Sequence, residues 1–316
     1  MQESLQSDLA TTKVITEPTL WQMRFRKLIP YLFILPAFIL FISLRYVPAF
    51  SAIYHSFTQW NGVRAPEFVG LENYVRLLQD DVFIKAMTNM IIYTLARTTM
   101  VVFMAFVAAE LVLRVPSVLM QSFWKIVFII PLIVPNTVNL LVWGFVYNTQ
   151  NGILNEFLES IGLASLRQPW LGQSSTALGA IIFIGFPFVA SFAFLIYVSA
   201  LQSMPSEVLD AARVDGCNFW RRLIYIDVPL MKGPITLTVI LLVIEGINLL
   251  QPQLVLTRGG PGVSTESPAH FLYLAAFQNR QFGYASAVGV IMLIVGLGFS
   301  IYSIYLRYKG AADVNV

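Results

Sequence analysis

Long apolar runs separated by short polar segments make up most of this chain. No Asp, Glu, Lys or Arg occurs in the 39 residues of 168–206 or in the 26 residues of 281–306. A helix needs roughly 20 apolar residues to cross the hydrocarbon core of a bilayer, so either run is long enough. The runs are unbroken rather than alternating, which predicts an all-α polytopic membrane protein. Six spanning helices are predicted, near residues 28–50, 88–112, 126–147, 175–200, 233–256 and 282–306.

The composition agrees with a bilayer as the main solvent. Hydrophobic residues make up 57% of the 316 residues and charged residues 12%, whereas soluble domains carry about a quarter charged residues. Cys217 is the only cysteine, which excludes an internal disulfide and a metal site built from several cysteines of one chain. His55 and His270 are predicted to be polar surface residues in loops. No metal site is therefore expected.

Basic residues orient the six predicted helices. With the N-terminus inside, the inner segments hold twelve Lys and Arg residues and the outer loops hold six. The positive-inside rule therefore predicts that both termini are cytoplasmic. A cleaved signal peptide ending near Ser51 is the alternative interpretation of the first apolar run. The predicted organisation is a cytoplasmic tail at 1–27, a six-helix domain at 28–307 and a cytoplasmic tail at 308–316, with an outer loop at 54–85 and an inner segment at 201–232.

Local signals refine this picture at three places. In the outer loop, an amphipathic helix on the membrane surface is predicted from the apolar residues that recur at helical spacing, namely Leu71, Tyr74, Val75 and Leu78. Helix breaks are predicted in the third and fourth spans at Pro131, Pro135, Gly185 and Pro187. The sequence does not decide whether these breaks act as hinges or only bend a helix.

The inner segment is too polar to span a membrane and too long for a simple turn. Ser203 and Pro205 are predicted to open a short helix, because Ser caps helices and Pro is tolerated in the first turn. Gly216 permits the left-handed turn that ends it. Asn218 is predicted to cap a second helix, which Pro229 ends. The segment is therefore predicted to form a compact helix-turn-helix.

An ordered pattern in this segment matches a known signature. The residues that fall on it are Asp210, Ala211, Ala212, Asp215, Gly216, Ile226, Pro229 and Pro234. They resemble the signature loop of bacterial ABC importer permeases, which has a Glu-Ala-Ala triplet, two residues, Asp-Gly-Ala, and then an Ile and two prolines. This sequence departs from the pattern at Asp210, Cys217 and Leu223, where Glu, Ala and Phe are usual.

The resemblance implies a fold and a role for the segment. The implied fold is that of an ABC type I importer permease, with six transmembrane helices and a cytoplasmic coupling helix-turn-helix that docks in a cleft of an ATPase subunit. The residues assigned to ATPase coupling on this basis are Asp210, Ala211, Ala212, Asp215 and Gly216. Small side chains allow close backbone approach, and carboxylates can meet basic groups of a partner. An ordinary solvated hairpin is the alternative.

Two further blocks resemble carbohydrate-uptake permeases of the maltose type. One block comprises 257–261, Tyr273, Ala276, Phe277 and 282–287. The other comprises 68–74, Phe83 and Asn89, although Met90 stands where the family usually has Thr. With the signature loop, the resemblance covers roughly residues 30–306.

Polar residues inside the spans indicate where a solute would pass, because such residues face protein or a water-filled cavity. The third-span residues that share a helix face are Asn136, Asn139 and Trp143. The corresponding fifth-span residues are Glu245, Asn248 and Gln251. Amides and a carboxylate can hydrogen-bond sugar hydroxyls, and an indole can stack on a pyranose ring. Equally, these groups can join helices to one another.

Two charges are predicted at mid-depth in the membrane, Arg97 in the second span and Glu245 in the fifth. An unpaired charge there costs about 2.5–3.5 kcal/mol on insertion scales. Arg97 is therefore expected either to pair with Glu245 or to meet an acidic group on the solute.

The sequence as a whole predicts a non-enzymatic translocation subunit in a bacterial or archaeal plasma membrane. It has no GxxxxGK[ST] phosphate loop, so ATP and Mg²⁺ are expected to bind partner subunits and no cofactor is expected in this chain. The resemblance implies a second related permease in a pseudo-symmetric heterodimer, two ATPase subunits and an extracytoplasmic solute-binding protein. The predicted solute is a sugar or oligosaccharide, with a glycerol phosphate or uronate as the alternative. A secondary transporter and an intramembrane enzyme are the rival classes, and nucleic acid is not an expected partner.

Overall fold

The computed structural model describes the backbone of residues 20–312 and the side chains of residues 28–305. By its internal contacts the chain divides into two units, Met1–Ser51 and Ala52–Val316. Most of the two predicted tails lies outside the described residues, and the predicted tail boundaries stay predictions.

The first unit is helical over all of its described residues. Helix α1 (Leu20–Phe41) continues through a π-helical turn at Ile42–Tyr46 into α2 (Val47–His55). The part that is apolar and long enough to cross a bilayer is Leu28–His55, so the first predicted span is present and runs about one turn further than predicted.

The second unit has a small two-stranded sheet near its start and is otherwise helical in its described part. Strands β1 (Thr58–Gln59) and β2 (Glu67–Phe68) form this antiparallel sheet. The α-helices are α3 (Glu72–Leu78), α4 (Asp81–Leu113), α5 (Val118–Ile129), α6 (Asn136–Val146), α7 (Ile153–Ser160), α8 (Ala177–Phe183), α9 (Ser191–Gln202), α10 (Ser206–Val214), α11 (Phe219–Arg222), α12 (Val228–Leu230), α13 (Lys232–Ile247), α14 (Pro268–Tyr273) and α15 (Phe282–Ala312). Short 3₁₀ or π-helical segments occupy Ile130–Ile133, Ala164–Leu166, Leu223–Asp227, Gln253–Thr257 and Leu274–Gln278.

Three described helices are each long and apolar enough to cross a membrane, and up to six crossings result when three bent helix pairs each count as one span. The three long helices are Leu28–His55, Asp81–Leu113 and Phe282–Tyr305. This architecture is that of a polytopic helical membrane protein, as the sequence predicts.

Prolines break the third predicted span. Helix α5 tightens into a 3₁₀ turn that contains Pro131, and α6 begins at Asn136, directly after Pro135. The two helical parts are bent by 97°. Because proline lacks an N–H and its ring clashes with the preceding turn, a straight helix cannot continue here. The bend brings Asn136 to the first residue of α6.

The fourth predicted span is two helices rather than one. Helix α8 ends at Phe183, α9 begins at Ser191, and the backbone between them is unwound. Gly185 and Phe188 have φ of +84° and +66°, which lie in the left-handed region. Pro187 has no N–H with which to continue a helix. The predicted break is confirmed, and it is longer than a simple kink.

The fifth span departs from the prediction at its end. Helix α13 stops at Ile247 instead of near residue 256, and another helical turn starts at Gln251. In a continuous helix the ring of Pro252 would clash with the carbonyl of Asn248, four residues earlier. Glu245 and Gln251 therefore do not share one helix.

The predicted helix of the outer loop is present as α3, but its buried face differs from the predicted one. Leu77 and Asn73 are buried, whereas Leu71, Val75 and Leu78 are exposed. Burial of the Asn73 amide is compensated, because it donates hydrogen bonds of 2.9 Å to the backbone carbonyls of Ser56 and Thr58. That the exposed apolar face lies on a membrane surface stays a prediction.

Both histidines were predicted to lie in loops, but both lie in helices. His55 ends α2 and stacks on Trp60, with ring centroids 4.0 Å apart. His270 lies in α14, is 2% exposed, and its Nδ1 is 2.7 Å from the Glu266 carboxylate. The acid and the histidine are four residues apart, and this i, i+4 spacing was the signal in the sequence.

Helix α4 packs against both α9 and α13 and so fixes where these helices lie. One half packs against α9 through Ala105, Ala109 and Tyr197, all of which are fully buried. Nearer its middle it meets α13, where a Cβ added to Gly246 would lie 2.2 Å from Oγ1 of Thr94. Only glycine permits so close an approach of the two helices.

Candidate functional site

A polar cavity of about 340 Å³ lies among α4, α6, α8 and the end of α13. Ligand pockets usually measure roughly 300–1,000 Å³, so this cavity suits a small solute. Its lining residues are Tyr93, Arg97, Asn136, Asn139, Leu140, Ile181, Ile184, Glu245, Asn248, Leu249, Leu250, Gln251 and Pro252. Six of the seven residues predicted for the solute pathway are among them.

Trp143 is the predicted pathway residue that does not line this cavity. It lines a separate apolar cavity of about 660 Å³ together with Tyr147, Phe157 and Trp170. Seven residues of helix separate Trp143 from Asn136, which is about 10 Å along the axis. A shared helix face therefore did not bring the indole to the same cavity.

Arg97 supports the broken fourth span instead of pairing with Glu245. Its Nη1 donates a hydrogen bond of 2.5 Å to the carbonyl of Ile184, the residue after α8. Its guanidinium carbon lies 5.5 Å from the centroid of the Phe188 ring. The unwound backbone has carbonyls without helical donors, and inside a membrane these need another partner. Among the described side chains no ion pair joins Arg97 to Glu245, so the pairing hypothesis is not met in this structure.

Amide groups connect α6 to the turn after α13. The Asn136 side chain donates a hydrogen bond to the Gln251 side-chain oxygen. The Asn248 amide donates to the carbonyl of Ile244 in its own helix, at 2.8 Å. Two of the four amide side chains thus join helices, while the Asn248 oxygen and the Asn139 amide are left for other partners.

The Asn136–Gln251 contact predicts measurable coupling between the two residues. In a double-mutant cycle of Asn136→Ala and Gln251→Ala, we expect the stabilities to depart from additivity by about 0.5–1.5 kcal/mol, the usual net value of a hydrogen bond. The measurement is thermal unfolding of the purified chain in detergent. Asn139→Ala with Gln251→Ala is the matched pair and should be additive; additivity in both pairs would contradict this contact.

The segment 201–232 forms the predicted helix-turn-helix, which is called the hairpin from here on, but its first helix starts differently. Its first arm is α10 and its second arm is the helical stretch 219–230. Pro205 occupies the N-cap position of α10, and no side chain caps the helix. The Ser203 hydroxyl instead donates to the carbonyl of Ala200 at 2.9 Å, at the end of α9. The prediction that Ser203 opens α10 is therefore wrong.

The turn and the second arm follow the sequence more closely. Gly216 has φ of +67°, and the N–H of Cys217 donates to the carbonyl of Ala212 at 2.9 Å. Asn218 caps α11 by accepting from the N–H of Arg221 at 2.9 Å. Pro229 does not end this arm as predicted, because a π-helical turn precedes α12 and makes room for its ring.

Four of the five residues assigned to ATPase coupling are exposed. They are Asp210, Ala211, Asp215 and Gly216. Ala212 is 7% exposed and therefore packs inside the chain. Asp210 pairs with Arg213 of its own helix at 2.9 Å, with both side chains well exposed. A partner would meet the exposed face, which also includes Val214 at 87% exposure.

Sequence reasoning missed an ionic cluster formed by Glu110, Arg114, Arg222 and Asp227. Arg114 lies 2.8 Å from Glu110 and 3.3 Å from Asp227, and Arg222 lies 3.2 Å from Asp227. The signal for its first pair was present, since Glu110 and Arg114 are four residues apart at the end of an apolar run. No local pattern indicated the contact with Asp227, 113 residues away.

Comparisons with known proteins identify the class of protein that has this fold. Residues 102–308 match the family described as "Binding-protein-dependent transport system inner membrane component". This match covers more than half of the chain. The chain belongs to this family, the permease subunits of ABC importers, and is a multi-pass component of the inner membrane.

Individual relatives extend the match to most of the chain. The probable ABC transporter permease protein YurN of Bacillus subtilis is 35% identical over 277 residues, which cover 87% of this chain and 94% of the relative. The diacetylchitobiose uptake system permease NgcF of Streptomyces coelicolor is 30% identical, covering 84% of this chain and 77% of the relative. The multiple sugar-binding transport system permease MsmF of Streptococcus mutans is 28% identical, covering 88% and 94%.

Solved structures agree on the fold. A chain of a bacterial ABC transporter involved in the import of the acidic polysaccharide alginate matches with a TM-score of 0.77 at 19% identity, covering 92% of this chain and 98% of that one. The alginate transporter in complex with a pentasaccharide-bound periplasmic protein matches with a TM-score of 0.78, also at 19% identity. The described helices thus have the arrangement of an ABC importer permease.

Proposed function

We propose that this chain is the permease subunit through which an ATP-driven importer moves a sugar or oligosaccharide into the cytoplasm. The observation that carries the proposal is the cavity, whose amides and carboxylate can hydrogen-bond the hydroxyls of a saccharide. The names of the relatives NgcF and MsmF, which refer to diacetylchitobiose and to multiple sugars, support the same class of solute.

The importer would contain further subunits. In this proposal two ATPase subunits bind ATP and Mg²⁺, because the sequence contains no phosphate loop of its own. A second, related permease completes the channel as a pseudo-symmetric heterodimer. An extracytoplasmic solute-binding protein delivers the solute. This chain itself needs no cofactor and catalyses no reaction.

The proposed orientation places both termini and the segment 201–232 in the cytoplasm. The excess of basic residues in these segments supports it. The hairpin then faces the compartment in which ATP is hydrolysed, and the loop 54–85 faces the solute-binding protein.

An acidic saccharide is the second candidate solute, and the state of Arg97 favours it. Arg97 lines the cavity, makes one hydrogen bond to a backbone carbonyl and has no carboxylate within ion-pair distance among the described residues. Its remaining N–H donors could bind a uronate or phosphate.

Uptake by cavity variants separates the two solutes. We expect Glu245→Ala to lower ATP-driven uptake of a neutral sugar by about ten- to a hundredfold, because a hydrogen bond to a charged group contributes about 1.5–3 kcal/mol. Arg97→Gln should instead abolish uptake of an acidic saccharide. The measurement uses proteoliposomes that contain the assembled importer and the solute retained by its binding protein.

The matched control is Glu156→Gln, because Glu156 is an exposed acidic residue of α7 outside the cavity. Normal uptake by both cavity variants would contradict the assigned pathway. Uptake that needs an ion gradient and not ATP would show a secondary transporter instead.

A further inference from the structure

The ionic cluster is neutral overall, and its acidic members are withdrawn from solvent. The Asp227 side chain is fully buried and that of Glu110 is 6% exposed, while Arg114 and Arg222 keep 30% and 27% of their side chains exposed. Two carboxylates and two guanidinium groups balance. A buried pair of this kind adds little net stability, because desolvation offsets the attraction, but removal of one partner leaves a charge uncompensated. Its best-supported use is to fix how two elements are arranged.

The cluster joins two elements that the chain keeps far apart. Arg114 directly follows α4, and Asp227 lies in the second arm of the hairpin, 113 residues later. The Arg114 guanidinium also lies over the Phe219 ring, 4.2 Å from its centroid. One arginine thus contacts the second arm at two places, eight residues apart, and holds the arm along its length.

Helix α4 connects the cluster to the cavity. Arg97 and Tyr93, which line the cavity, belong to the same uninterrupted helix that Arg114 follows. Seventeen residues separate Arg97 from Arg114, which is about 25 Å of helix. A rigid helix of this length transmits a displacement of one end to the other.

We propose that the ionic cluster makes the hairpin and α4 move as one body, so that a displacement of the hairpin shifts the cavity wall that carries Tyr93 and Arg97. Arg114 is the positioning residue, because it forms ion pairs with both Glu110 and Asp227 and also lies over the Phe219 ring. This inference rests on the proposed ATPase partners, which would displace the hairpin from its exposed face.

The test compares ATPase docking with cavity movement in the assembled importer in nanodiscs, with cysteine-free partner subunits. Cys217→Ala removes the only cysteine of this chain, and Asn248→Cys places a reporter in the cavity. The readout is the rate of maleimide labelling with and without ATP, Mg²⁺ and vanadate. Without other changes, the two rates should differ about tenfold, a usual size for coupling between sites.

The informative variant is Arg114→Gln with Glu110→Gln, which removes one charge of each sign and leaves Asp227 paired with Arg222. We expect this variant to retain its ATPase subunits, while its two labelling rates become equal. Arg114→Lys alone, which keeps a charge beside both carboxylates, should restore most of the difference. Arg167→Gln breaks an exposed ion pair elsewhere and is the matched control, with no expected effect.

Three outcomes would overturn parts of this account. Labelling that still responds to nucleotide in the double variant shows that the cluster does not transmit the movement. Loss of the ATPase subunits from both the double variant and Arg114→Lys shows that the cluster serves folding or docking instead. A lack of response before any cluster substitution would overturn the proposed coupling of ATP hydrolysis to the cavity, and this inference with it.

Discussion

Substitution of Gly216 by valine is expected to abolish ATP-driven transport while the chain still folds and inserts. Gly216 has φ of +67°, a conformation that costs a non-glycine residue roughly 1–2 kcal/mol, and more if it is β-branched. A Cβ there would meet no atom within 4 Å in the part of the chain that the structure describes, so the substitution causes no clash with those residues. The defect should arise because the turn changes shape and a bulkier side chain enters the docking face.

Gly162 provides a closely matched control for this prediction. It follows α7 with φ of +82°, and an added Cβ would also meet no atom of the described residues within 4 Å. The same type of backbone hydrogen bond closes both helices. After α7 the N–H of Leu163 donates to the carbonyl of Leu158 at 2.8 Å, and after α10 the N–H of Cys217 donates to that of Ala212 at 2.9 Å. Gly162→Val should therefore carry the same conformational cost and leave transport largely intact. Equal transport by the two variants, measured at equal expression, would show that position 216 has no special role.

Substitution of Gly246 by valine is expected to destabilise the membrane domain itself. A Cβ at this position would lie 2.2 Å from Oγ1 and 2.9 Å from Cβ of Thr94, so α13 and α4 would have to separate. Overpacking of this kind costs about 1–3 kcal/mol. For a chain of 316 residues, that corresponds to a fall in melting temperature of roughly 2–5 °C. The measurement is thermal unfolding of the purified chain in detergent.

Two further variants isolate the cause of that effect. Gly298→Val lies in α15, where an added Cβ meets none of the described atoms within 4 Å, and it should melt close to the unsubstituted chain. Thr94→Gly combined with Gly246→Ala moves the methyl group to the other helix and should recover part of the loss. If Gly298→Val were as destabilising as Gly246→Val, helix propensity rather than close packing would explain the result.

The spans and the hairpin could be predicted from the sequence because both depend on local chemistry. Apolar length determines which segments can cross a membrane, and Gly216 and Asn218 act through their own backbone neighbourhood. The ends of helices near proline were harder. Pro252 ended α13 five residues before its own position, whereas Pro229 was absorbed by a π-helical turn.

The cavity was predictable in part, for a physical reason. Arg97, Glu245 and the amides are costly in a membrane, so their presence indicated a polar interior. Their partners depend on how separate helices pack, which the spacing along one helix does not reveal. The Arg97 bond to Ile184 requires the unwound fourth span, and the Arg114 contact with Asp227 requires α4 beside the hairpin.

The buried position of Ala212 limits which of the predicted coupling residues are accessible to a partner. The signature treats the two alanines alike, yet Ala211 is exposed and Ala212 lies inside the chain. A helix of nine residues has one face on its own protein and one face free, and the two alanines fall on either side of that division.

A photo-crosslinker at Val214 tests most directly whether the hairpin is the point at which ATP hydrolysis moves this permease. Val214 is 87% exposed and lies two residues before the Gly216 turn. In intact cells that express the whole importer, crosslinks from this position should go mainly to the ATPase subunit. A crosslinker at Val63, equally exposed in the loop 54–85, should not reach that subunit. Crosslinks from Val214 to an extracytoplasmic protein, or none to the ATPase subunit, would contradict the account.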